Sequence, residues 1–523
     1  MMMENIKKYI PKNSKVDFCN NVAFFEASVL EIREIVKDLH RNKNLSLKLI
    51  TATDEREEQG YFKIWYVFGV LKENAFIIPF IQLKNTEEFP SMVSSIHAVW
   101  NHEKKIQTFF GLSPVGHPDP RPILLHENWP AQVFPLRKDF DWKTRPEEAQ
   151  ATYLFQKVAG EGIYEIPVGP IHAGIIEPGH FRFSVAGEKI VFLEPRLGFT
   201  HKGSEKLFEV LPIPSKIRLS EKISGDSSFS HSLAFCQAVE QLMEIKVPTR
   251  ALYLRVIYAE LERLANHFGD IGMIMLDTGF NFGGAQGARL REMTMQINER
   301  LTGSRFLRGV NKVGGVAKDI AITEKSRLSD ELSKIDKDFC EIIAVEENST
   351  SLLNRLKGTG VLLQKVGRDR GVVGVAAKAV GIQIDGRFDF PYAAYDQLSL
   401  GEIKTEQDGD VAARMSVRIK EVRSSIEIIQ QALRKIPEGP IGASVENTPL
   451  KKNALAVSLV EGWRGEIVYF LTTDVFGNIS RVVPNDPSFV NWTVLGTVSF
   501  DNIVPDFPLI NKSFNLSYSG NDL

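Results

Sequence analysis

An apolar stripe between residues 251 and 272 constrains the fold of this chain more than any other feature. The residues that recur at spacings of three and four are Leu254, Ile257, Leu261, Leu264 and Phe268. That spacing places them on one side of a long helix, which needs a large apolar surface to pack against. A chain of 523 residues that is 43% hydrophobic can supply such a surface. A similar amphipathic pattern over residues 325–356 predicts that the second part of the chain is mainly helical.

The first 140 residues follow a different pattern, which predicts a small α+β unit. A helical segment at 27–40 is followed by runs rich in aromatic and β-branched residues at 45–55, 61–71 and 75–83. Local alternation in these runs favours an antiparallel sheet. The proline-rich segment 111–142 cannot form long regular elements, so we expect an extended arm that lies over another surface.

The polar stretch KTRPEEAQ follows the arm and predicts a boundary between two domains, residues 1–145 and 146–523. Beyond it, HFRFSVAGEKIVFLEP alternates like a β-hairpin, with Phe181, Phe183 and Val185 on one face and Gly187 in the turn. The predicted fold class is therefore α+β: an N-terminal α+β domain, followed by a mainly α-helical domain with a small β-hairpin portion.

Composition limits the functions that such a chain can have. The formal net charge is −2 and no block of like charges occurs, so nothing indicates a nucleic-acid partner. The three cysteines, Cys19, Cys236 and Cys340, are far apart in the sequence, which argues against a disulfide framework and a thiolate metal site. No signal-peptide segment is recognisable, and no apolar run approaches the ~18 to 20 residues of a spanning helix. We therefore expect a cytoplasmic protein that meets a membrane only through other chains.

The stretch EKISGDSSFSHSLAF, residues 221–235, has two local interpretations. Ser227 would be a nucleophile if His231, one helical turn further on, served as its base. No lipase-type G-x-S-x-G motif accompanies the pair. Alternatively, Asp226 or Ser227 caps the following helix by accepting its first free N–H groups. The cap is the favoured interpretation on local grounds.

A second polar constellation lies in PVGPIHAGIIEPGHFRF. His172 and His180 flank Glu177 on a glycine-rich turn, where titratable groups can approach a ligand closely. The spacing differs from the helical H-E-x-x-H pattern, and a histidine bonded to a backbone carbonyl is the commoner arrangement. On local grounds a ligand site and a structural role are equally open.

Five longer motifs occur in one order along the chain: GPIHAGIIEPGHFRF, EPRLGFTHKGSEKLFE, SFSHSLAFCQAVE, GVVGVAAKAVGIQIDGRFDFPYAAYD and PSFVNWTVL. This series closely resembles the large subunit of membrane-bound nickel–iron hydrogenases of the formate hydrogenlyase type, whose fold is similar to that of the quinone-site 49 kDa subunit of respiratory complex I. The segment HPDPRPILLHENWPAQVFPLRKDF resembles the 30 kDa subunit of complex I, which formate hydrogenlyase carries fused ahead of its large subunit. The resemblance covers nearly the whole chain and implies a 30 kDa-like domain followed by a 49 kDa-like domain.

The resemblance also implies that a metal site has been lost. In the hydrogenases two C-x-x-C pairs hold nickel and iron, because these metals need thiolate ligands in a dry site. The matching positions here are Ser224 and Ser227, and Ser517 and Gly520. A serine hydroxyl does not ionise near neutral pH and glycine has no side chain. We therefore expect no metal on this chain and no active nickel–iron hydrogenase.

A quinone site is the alternative use of such a pocket. In the 49 kDa protein of complex I, a tyrosine and a histidine bind the quinone head group, and the histidine pairs with an aspartate. The resemblance places that histidine at His180 and the aspartate at Asp277, while the tyrosine falls at about Gly225 and is missing. Quinone binding at His180 and Asp277 would therefore lack one of its two donors.

Two further hydrogenase positions match this sequence. Glu177 corresponds to the carboxylate that relays protons away from the metal, and Arg464 to the arginine that points over the active site. Either they were kept for charge and proton handling, or they pair with each other in a buried polar cavity. The predicted working residues are Glu177, His180, Asp277 and Arg464, with His172, His201 and His231 as secondary pocket candidates.

Three functions are consistent with these residues. The chain is a metal-free peripheral subunit of a complex I-related, membrane-associated oxidoreductase that couples electrons or protons without hydrogen chemistry, or a quinone-binding subunit of an NADH:quinone oxidoreductase-like complex, or a catalytically silent scaffold. Since the chain has too few cysteines for a cluster, the iron–sulfur cluster is expected on a small partner subunit. Membrane-embedded, ion-translocating subunits are the other expected partners, on the cytoplasmic face of the inner membrane.

Overall fold

The computed structural model describes residues 6–12, 14–172, 176–446 and 448–523. The N-terminal strands are β1 (Val16–Cys19), β2 (Val22–Glu26), β3 (Ser46–Glu55), β4 (Tyr61–Val70), β5 (Ala75–Leu83), β6 (Glu88–Pro90) and β7 (Ser113–Val115). The first five form one sheet with the order β1-β2-β5-β4-β3, and β6 pairs with β7. Strands β3, β4 and β5 are antiparallel as predicted, but β2 runs parallel to β5.

Three helices accompany this sheet among the described residues: α1 (Ile32–Lys37), α2 (Arg56–Gln59) and α3 (Trp100–Phe110). The predicted helix at 27–40 is thus shorter than expected, and a π-helical turn, Asp38–Asn42, follows it. The predicted arm, 111–142, contains only the short strand β7, and no helix or strand occurs from there to residue 162. The arm crosses onto the second part of the chain, because Arg121 Nη1 lies 2.6 Å from Glu194 Oε1 and Lys138 Nζ donates to the carbonyl of Ser480 at 2.6 Å.

The second part is mainly helical, as predicted. Its helices are α4 (Ser204–Val210), α5 (Ile213–Ser220), α6 (Ser228–Met243), α7 (Thr249–Asp277), α8 (Asn281–Thr302), α9 (Ile322–Glu347), α10 (Thr350–Leu356), α11 (Gln364–Arg370), α12 (Gly374–Lys378), α13 (Gly386–Asp389), α14 (Val411–Lys435), α15 (Pro487–Asn491), α16 (Leu495–Ser499), α17 (Phe507–Phe514) and α18 (Tyr518–Asn521). All five residues of the apolar stripe on α7 are buried. The amphipathic segment 325–356 is divided between α9 and α10.

Helix α7 lies at the centre of this helical part. It packs against α8 and α14, and it approaches α8 closely because glycines face each other there. A Cβ added to Gly287 would lie 2.5 Å from the Cα of Gly272, so a side chain at this crossing would force the two helices apart.

Small sheets complete the second part. The strands are β8 (Ile163–Val168), β9 (His180–Ala186), β10 (Lys189–Arg196), β11 (Asn311–Lys312), β12 (Gly315–Val316), β13 (Leu455–Gly462), β14 (Gly465–Thr473) and β15 (Ile479–Asn485). Strands β9 and β10 form the predicted hairpin with Gly187 in its turn. The prediction of a single hairpin portion was incomplete, since β8 adds a third strand to it and β13–β14–β15 form a further three-stranded sheet.

The sheet β13–β14–β15 packs face to face with the five-stranded N-terminal sheet. Their shared apolar layer contains Trp65 and Phe76 from the first sheet and Phe470 from the second. The Trp65 and Phe470 ring centroids are 5.7 Å apart. A buried ion pair between Lys48 on β3 and Glu466 on β14, 2.6 Å long, crosses the same interface. The α+β fold class is confirmed, and the two parts of the chain are joined by a continuous core.

Candidate functional site

The four positions matched to metal ligands come from two distant segments that meet in the fold. Ser224 and Ser227 lie just before α6, and Ser517 and Gly520 lie at α18. The hydroxyl of Ser224 lies 2.9 Å from that of Ser517, although 293 residues separate them in the chain. Ser517 also accepts a hydrogen bond from the backbone N–H of Gly520 at 2.9 Å, so it caps α18. Hydroxyls and backbone therefore occupy this point of the fold.

An ion pair fills the space between the two segments. Arg464, between β13 and β14, donates from Nη1 and Nη2 to the two carboxylate oxygens of Asp226 at 2.6 and 2.7 Å. Its Nε donates to the carbonyl of Asn515, and its guanidinium lies 3.8 Å from the ring centroid of Trp463. Burial alone would raise the pKa of Asp226, but the charge and hydrogen bonds of Arg464, with the hydrogen bond from Ser224, together outweigh burial and lower that pKa to about 2. The pair is thus ionised at neutral pH.

This pairing corrects one prediction about Arg464. If Glu177 and Arg464 had paired with each other, Glu177 would lie against the guanidinium, but the partner of Arg464 is Asp226. Glu177 is exposed and accepts hydrogen bonds instead from Ser519, through the backbone N–H at 3.1 Å and the hydroxyl at 3.2 Å. The reason is local: Asp226 enters the pocket from the turn before α6, directly beside Ser224 and Ser227.

The position of Gly520 is closed by a second carboxylate. A Cβ at Gly520 would lie 2.6 Å from Cγ of Asp486, so the Asp486 side chain occupies the volume of a side chain at 520. Asp486 is buried and its Oδ2 lies 2.9 Å from Nε2 of His231, whose Nδ1 lies 3.1 Å from the hydroxyl of Tyr469. Burial acts to raise the pKa of Asp486, but the hydrogen bond and charge of His231, together with the charge of Arg464, outweigh burial and lower that pKa.

A chain of hydroxyls connects the exposed Glu177 with the Asp226–Arg464 pair. From Ser519, which binds Glu177, the next hydroxyl is Ser517 at 3.3 Å. Ser517 contacts Ser224 at 2.9 Å, and Ser224 donates to Oδ1 of Asp226 at 2.8 Å. The hydroxyls of Ser519, Ser517 and Ser224 each have one proton and two lone pairs. All three hydrogen bonds can therefore point toward Asp226, or all three can reverse and point toward Glu177. Such a reversible chain can carry a proton between the surface and the pocket.

The start of α6 differs from both local interpretations. Neither Asp226 nor Ser227 caps the helix through its side chain, so that prediction was wrong. Glu262 on α7 does so instead: its two oxygens accept the backbone N–H groups of Phe229 and Ser230 at 2.7 and 3.1 Å. A carboxylate with two oxygens satisfies two free N–H groups at once, which a serine hydroxyl cannot. The Ser227–His231 dyad is also absent, because His231 binds Asp486 and Tyr469.

The two predicted quinone residues do not pair with each other among the described residues. His180 on β9 uses Nδ1 against the carbonyl of Gly169 at 3.0 Å, and its buried Nε2 has no hydrogen-bond partner within the described part of the chain. Asp277 is the last residue of α7 and is exposed. Neighbouring groups shield its carboxyl group from part of the solvent, which raises its pKa, while the charge of Lys512 acts to lower it. Among the described residues, no hydrogen bond or ion pair joins Asp277 to His180.

Two other predicted histidines bind backbone carbonyls. His172 Nε2 lies 2.7 Å from the carbonyl of Gly179, and His201 Nδ1 lies 3.0 Å from that of Asp522. Burial lowers the pKa of His201, which favours the neutral ring. Residues 173–175, inside the motif GPIHAGIIEPGHFRF, lie outside the described residues.

The residues that sequence reasoning missed are Glu262 and Asp486. Asp486 had a local signal, because Asp-Pro precedes the helix α15 and the Asp486 side chain caps it. Glu262 had none, since it lies on the neighbouring helix α7, 33 residues beyond the N–H group it accepts.

The donor groups present do not fit a nickel–iron centre. Across the described parts of the chain, no three His, Cys, Asp or Glu side chains converge in a way that would hold a metal ion. The carboxylate of Asp226 is held by Arg464, and the one cysteine near this region, Cys236, lies in the apolar core, where burial raises its pKa. The pocket therefore provides hydroxyls and an ion pair instead of thiolates.

Comparison with known families defines the class of this protein. Residues 25–146 match the model of the 30 Kd subunit of respiratory-chain NADH dehydrogenase, and residues 277–456 match that of its 49 Kd subunit. The chain is thus a fusion of two complex I-type domains in the order that the motifs implied. The boundary between residues 145 and 146 stays a prediction.

Individual relatives make the assignment more specific. The chain is 32% identical to formate hydrogenlyase subunit 5 of Escherichia coli over 94% of its own length and 87% of that protein. It is 33% identical to the carbon monoxide-induced hydrogenase of Rhodospirillum rubrum over 67% of this chain and 97% of that one. It is 28% identical to an NADH-quinone oxidoreductase subunit of Phocaeicola vulgatus, over 84% of this chain and 88% of that protein. The chain belongs to this family of complex I-related oxidoreductase subunits. Among the described residues no helix is long and apolar enough to cross a membrane.

Proposed function

We propose that this chain is a metal-free, hydrogenase-like peripheral subunit of a complex I-related, membrane-associated, energy-converting oxidoreductase. In this proposal it takes part in electron or proton coupling and carries out no hydrogen chemistry. The observation that carries it is the hydroxyl chain: at the positions matched to metal ligands, Ser224 and Ser517 form a path from Glu177 to the Asp226–Arg464 pair. A pocket that retains a proton path and offers no thiolates is suited to moving protons.

The expected partners follow from the same proposal. A small iron–sulfur subunit would lie beside the pocket and hold the cluster, since this chain has only three cysteines. Membrane-embedded, ion-translocating subunits would anchor the assembly to the cytoplasmic face of the inner membrane. Two of the relatives are subunits by name, one of formate hydrogenlyase and one of NADH-quinone oxidoreductase, which supports membership in a multi-subunit enzyme.

Elemental analysis tests the metal-free state directly. The intact complex, purified through a tag on this chain, should contain no stoichiometric nickel and should evolve no hydrogen from reduced methyl viologen. About one nickel per chain, together with hydrogen evolution that Ser224→Ala abolishes, would overturn the proposal.

Proton uptake tests the role of the hydroxyl chain. When reduced methyl viologen donates electrons to the complex, a pH-indicator dye should report proton uptake, and Ser517→Ala should slow that uptake about tenfold because the central hydroxyl is missing. Ser517→Thr keeps a hydroxyl and should retain the rate. Ser499→Ala removes another buried hydroxyl, which bonds the carbonyl of Leu495 outside this path, and serves as the matched control. Equal rates in all four proteins would show that protons do not use this path.

Quinone binding is the second candidate, and one observation favours it. The buried Nε2 of His180 has no partner among the described residues, so it is available to a ligand's hydroxyl or carbonyl. In the intact complex, His180→Ala should then lower the rate at which a soluble quinone is reduced, while reduction of a viologen dye is retained. Unaltered quinone turnover in this variant would remove the candidate.

A further inference from the structure

A second group of buried charges lies close to the tip of the hairpin β13–β14, where Glu461 and Glu466 form the second residue pair from the turn that carries Arg464. Its carboxyl groups are Glu260, Asp385, Asp389, Glu421, Glu461 and Glu466. Its cationic groups are Lys48, Arg263, Lys378 and Arg387. None of these residues is more than 6% exposed. They come from both parts of the chain, because Lys48 lies on β3 of the N-terminal sheet.

The cations are already engaged by four of the carboxyl groups. Lys378 lies 2.7 Å from both Asp385 and Glu421, and Lys48 lies 2.6 Å from Glu466. Arg263 lies 3.1 Å from the fourth carboxylate, Glu260. Arg387 also pairs with two carboxylates of this set, Asp385 at 2.7 Å and Glu260 at 3.2 Å. His267 binds Glu421 at 2.8 Å, and burial lowers its pKa, so it adds no positive charge near neutral pH.

Two carboxyl groups of the cluster are left without a cation of their own. Within the described chain, the only cation that pairs with Glu461 is Lys378, at 3.3 Å, which lies closer to two other carboxylates. Glu461 Oε2 also accepts the backbone N–H of Gly386 at 2.9 Å. It also stands directly opposite Glu466 in the β13–β14 ladder. Asp389 makes no ion pair among the described residues and accepts the backbone N–H of Asp385 at 3.1 Å. Burying a carboxylate without a cation is costly, and binding a proton removes that cost.

We infer that this cluster is a proton-binding site, in which Glu461 and Asp389 carry protons that exchange with the surroundings. The electrostatics agree with the geometry. Burial and the charge of Asp385 raise the pKa of Glu461 to about 7, and burial raises that of Asp389. By contrast, Arg263 and Arg387 overcome burial at Glu260 and lower its pKa to about 2. The bound protons thus belong to the two carboxyl groups that lack cations.

The site is linked mechanically to the pocket. A Cβ at Gly374 would lie 2.0 Å from the carbonyl oxygen of Arg464, so the start of α12 packs directly on the hairpin tip. Helix α12 ends at Lys378, the cation that contacts Glu461. The short helix α12 therefore connects the backbone of Arg464 with the cation that pairs with Glu461. The protons are held by the cluster whichever reaction the pocket serves.

Infrared spectroscopy of the full-length protein tests the site. The spectrum should contain the carbonyl band of a protonated carboxylic acid at about pH 6, and part of that band should be lost as the pH rises through about 7. Glu461→Gln should reduce this titrating part by the contribution of one carboxyl group and leave that of other buried acids with a raised pKa, such as Glu262, while the exposed Glu188→Gln, in the β9–β10 turn, should leave the whole band unchanged. A titrating band that is the same in Glu461→Gln and the wild type would overturn the inference.

Unfolding by urea gives a second measurement. Because the folded-state pKa of Glu461 lies above its unfolded value, the native state binds more protons, so stability should fall as the pH rises from about 5 to about 8. Glu461→Gln imitates the protonated acid and should flatten this dependence by the equivalent of about one proton. A slope as steep as that of the wild type in a folded Glu461→Gln variant would contradict a bound proton there.

Discussion

At the scale of single residues, Gly520 shows that the pocket has no room for a side chain at this position. Gly520→Ala would place a methyl group 2.6 Å from Cγ of Asp486 and force that carboxylate away from His231. We expect a loss of about 1 to 3 kcal/mol in the free energy of unfolding, the usual cost of overpacking a core. Urea denaturation followed by tryptophan fluorescence would measure it.

Gly225→Ala is the matched control for this change. Its added Cβ would meet only the end of the Arg308 side chain, at 3.3 Å, and that flexible chain can move. We expect a change within about 0.5 kcal/mol. If both variants were equally stable, Asp486 would not be fixed in the place of a side chain at position 520.

Asp226→Asn tests the ion pair that fills the pocket. The variant leaves the buried Arg464 without its charge partner, so we expect a loss of roughly 2 kcal/mol at neutral pH. The pKa of Asp226 is lowered to about 2 from its ordinary value of 3.8, which is the value in the unfolded chain. The pair therefore gives its full stabilisation at pH values above 3.8. The deficit of the variant should therefore be constant at neutral pH and shrink as the pH falls below about 4.

The same substitution at an exposed ion pair provides the comparison. Asp501 and Lys189 lie 2.7 Å apart with both side chains 63% exposed, and exposed pairs contribute little to stability. Asp501→Asn should be nearly neutral. A similar loss in both variants would mean that the Asp226–Arg464 pair contributes no more than a surface contact.

The sequence could predict that Ser224, Ser517 and Arg464 lie in one pocket but not how Arg464 pairs there. Ser224 and Ser517 were placed together by resemblance, and they are in hydrogen-bond contact. The partner of Arg464 could not be read in this way, because Asp226 and Glu177 are both carboxylates and lie 238 and 287 positions away in the chain. Only the three-dimensional path of the turn before α6 decides between them.

At the scale of elements, the N-terminus of α6 depends on a cap from another helix. Glu262→Ala removes the acceptor of two backbone N–H groups, so we expect a loss of about 2 kcal/mol in the free energy of unfolding. Burial raises the pKa of Glu262 to about 7 from its ordinary value of 4.5. The stabilisation by Glu262 is therefore complete at pH values below 4.5 and is lost as the pH rises through about 7. The deficit should be larger at about pH 5 than at about pH 8.

Ser227→Ala separates the two possible caps. Ser227 occupies the N-cap position of α6 but makes no capping hydrogen bond. Its loss should change the free energy of unfolding by no more than about 0.5 kcal/mol. A greater loss in Ser227→Ala than in Glu262→Ala would restore the serine cap that the sequence alone predicts.

Elements were predictable where apolar residues recur at a regular spacing. The stripe on α7 gave a clear helical period, although this helix is buried on nearly all sides, and the alternation in residues 180–186 gave a hairpin strand. Strands β13 and β14 are buried along nearly their whole length, so their residues show no alternation from which a strand can be predicted. The parallel pairing of β2 with β5 is a long-range contact and leaves no local signal.

At the scale of the whole molecule, the two family domains share one core and should unfold together. The apolar layer between the N-terminal sheet and β13–β14–β15 contains Trp65, whose ring lies 4.7 Å from Phe80 and 5.7 Å from Phe470. A layer of this kind couples the stability of the two sheets. We expect circular dichroism and tryptophan fluorescence to report one coincident transition in urea. Two separated transitions would show that the sheets are stable independently.

The ion pair across that layer allows the coupling to be measured. Lys48 and Glu466 have side chains that are each 3% exposed, and Lys48→Met would leave Glu466 buried without a cation. We expect a loss of about 3 kcal/mol, the cost of breaking a buried pair from one side. The double variant Lys48→Met, Glu466→Gln leaves no charge uncompensated and should recover most of that stability, because methionine preserves the apolar volume of the lysine stem. The four proteins of this cycle, unfolded in urea at one pH, give the interaction energy directly. If the losses of the two single variants simply added in the double variant, the pair would contribute nothing specific to the joining of the two domains.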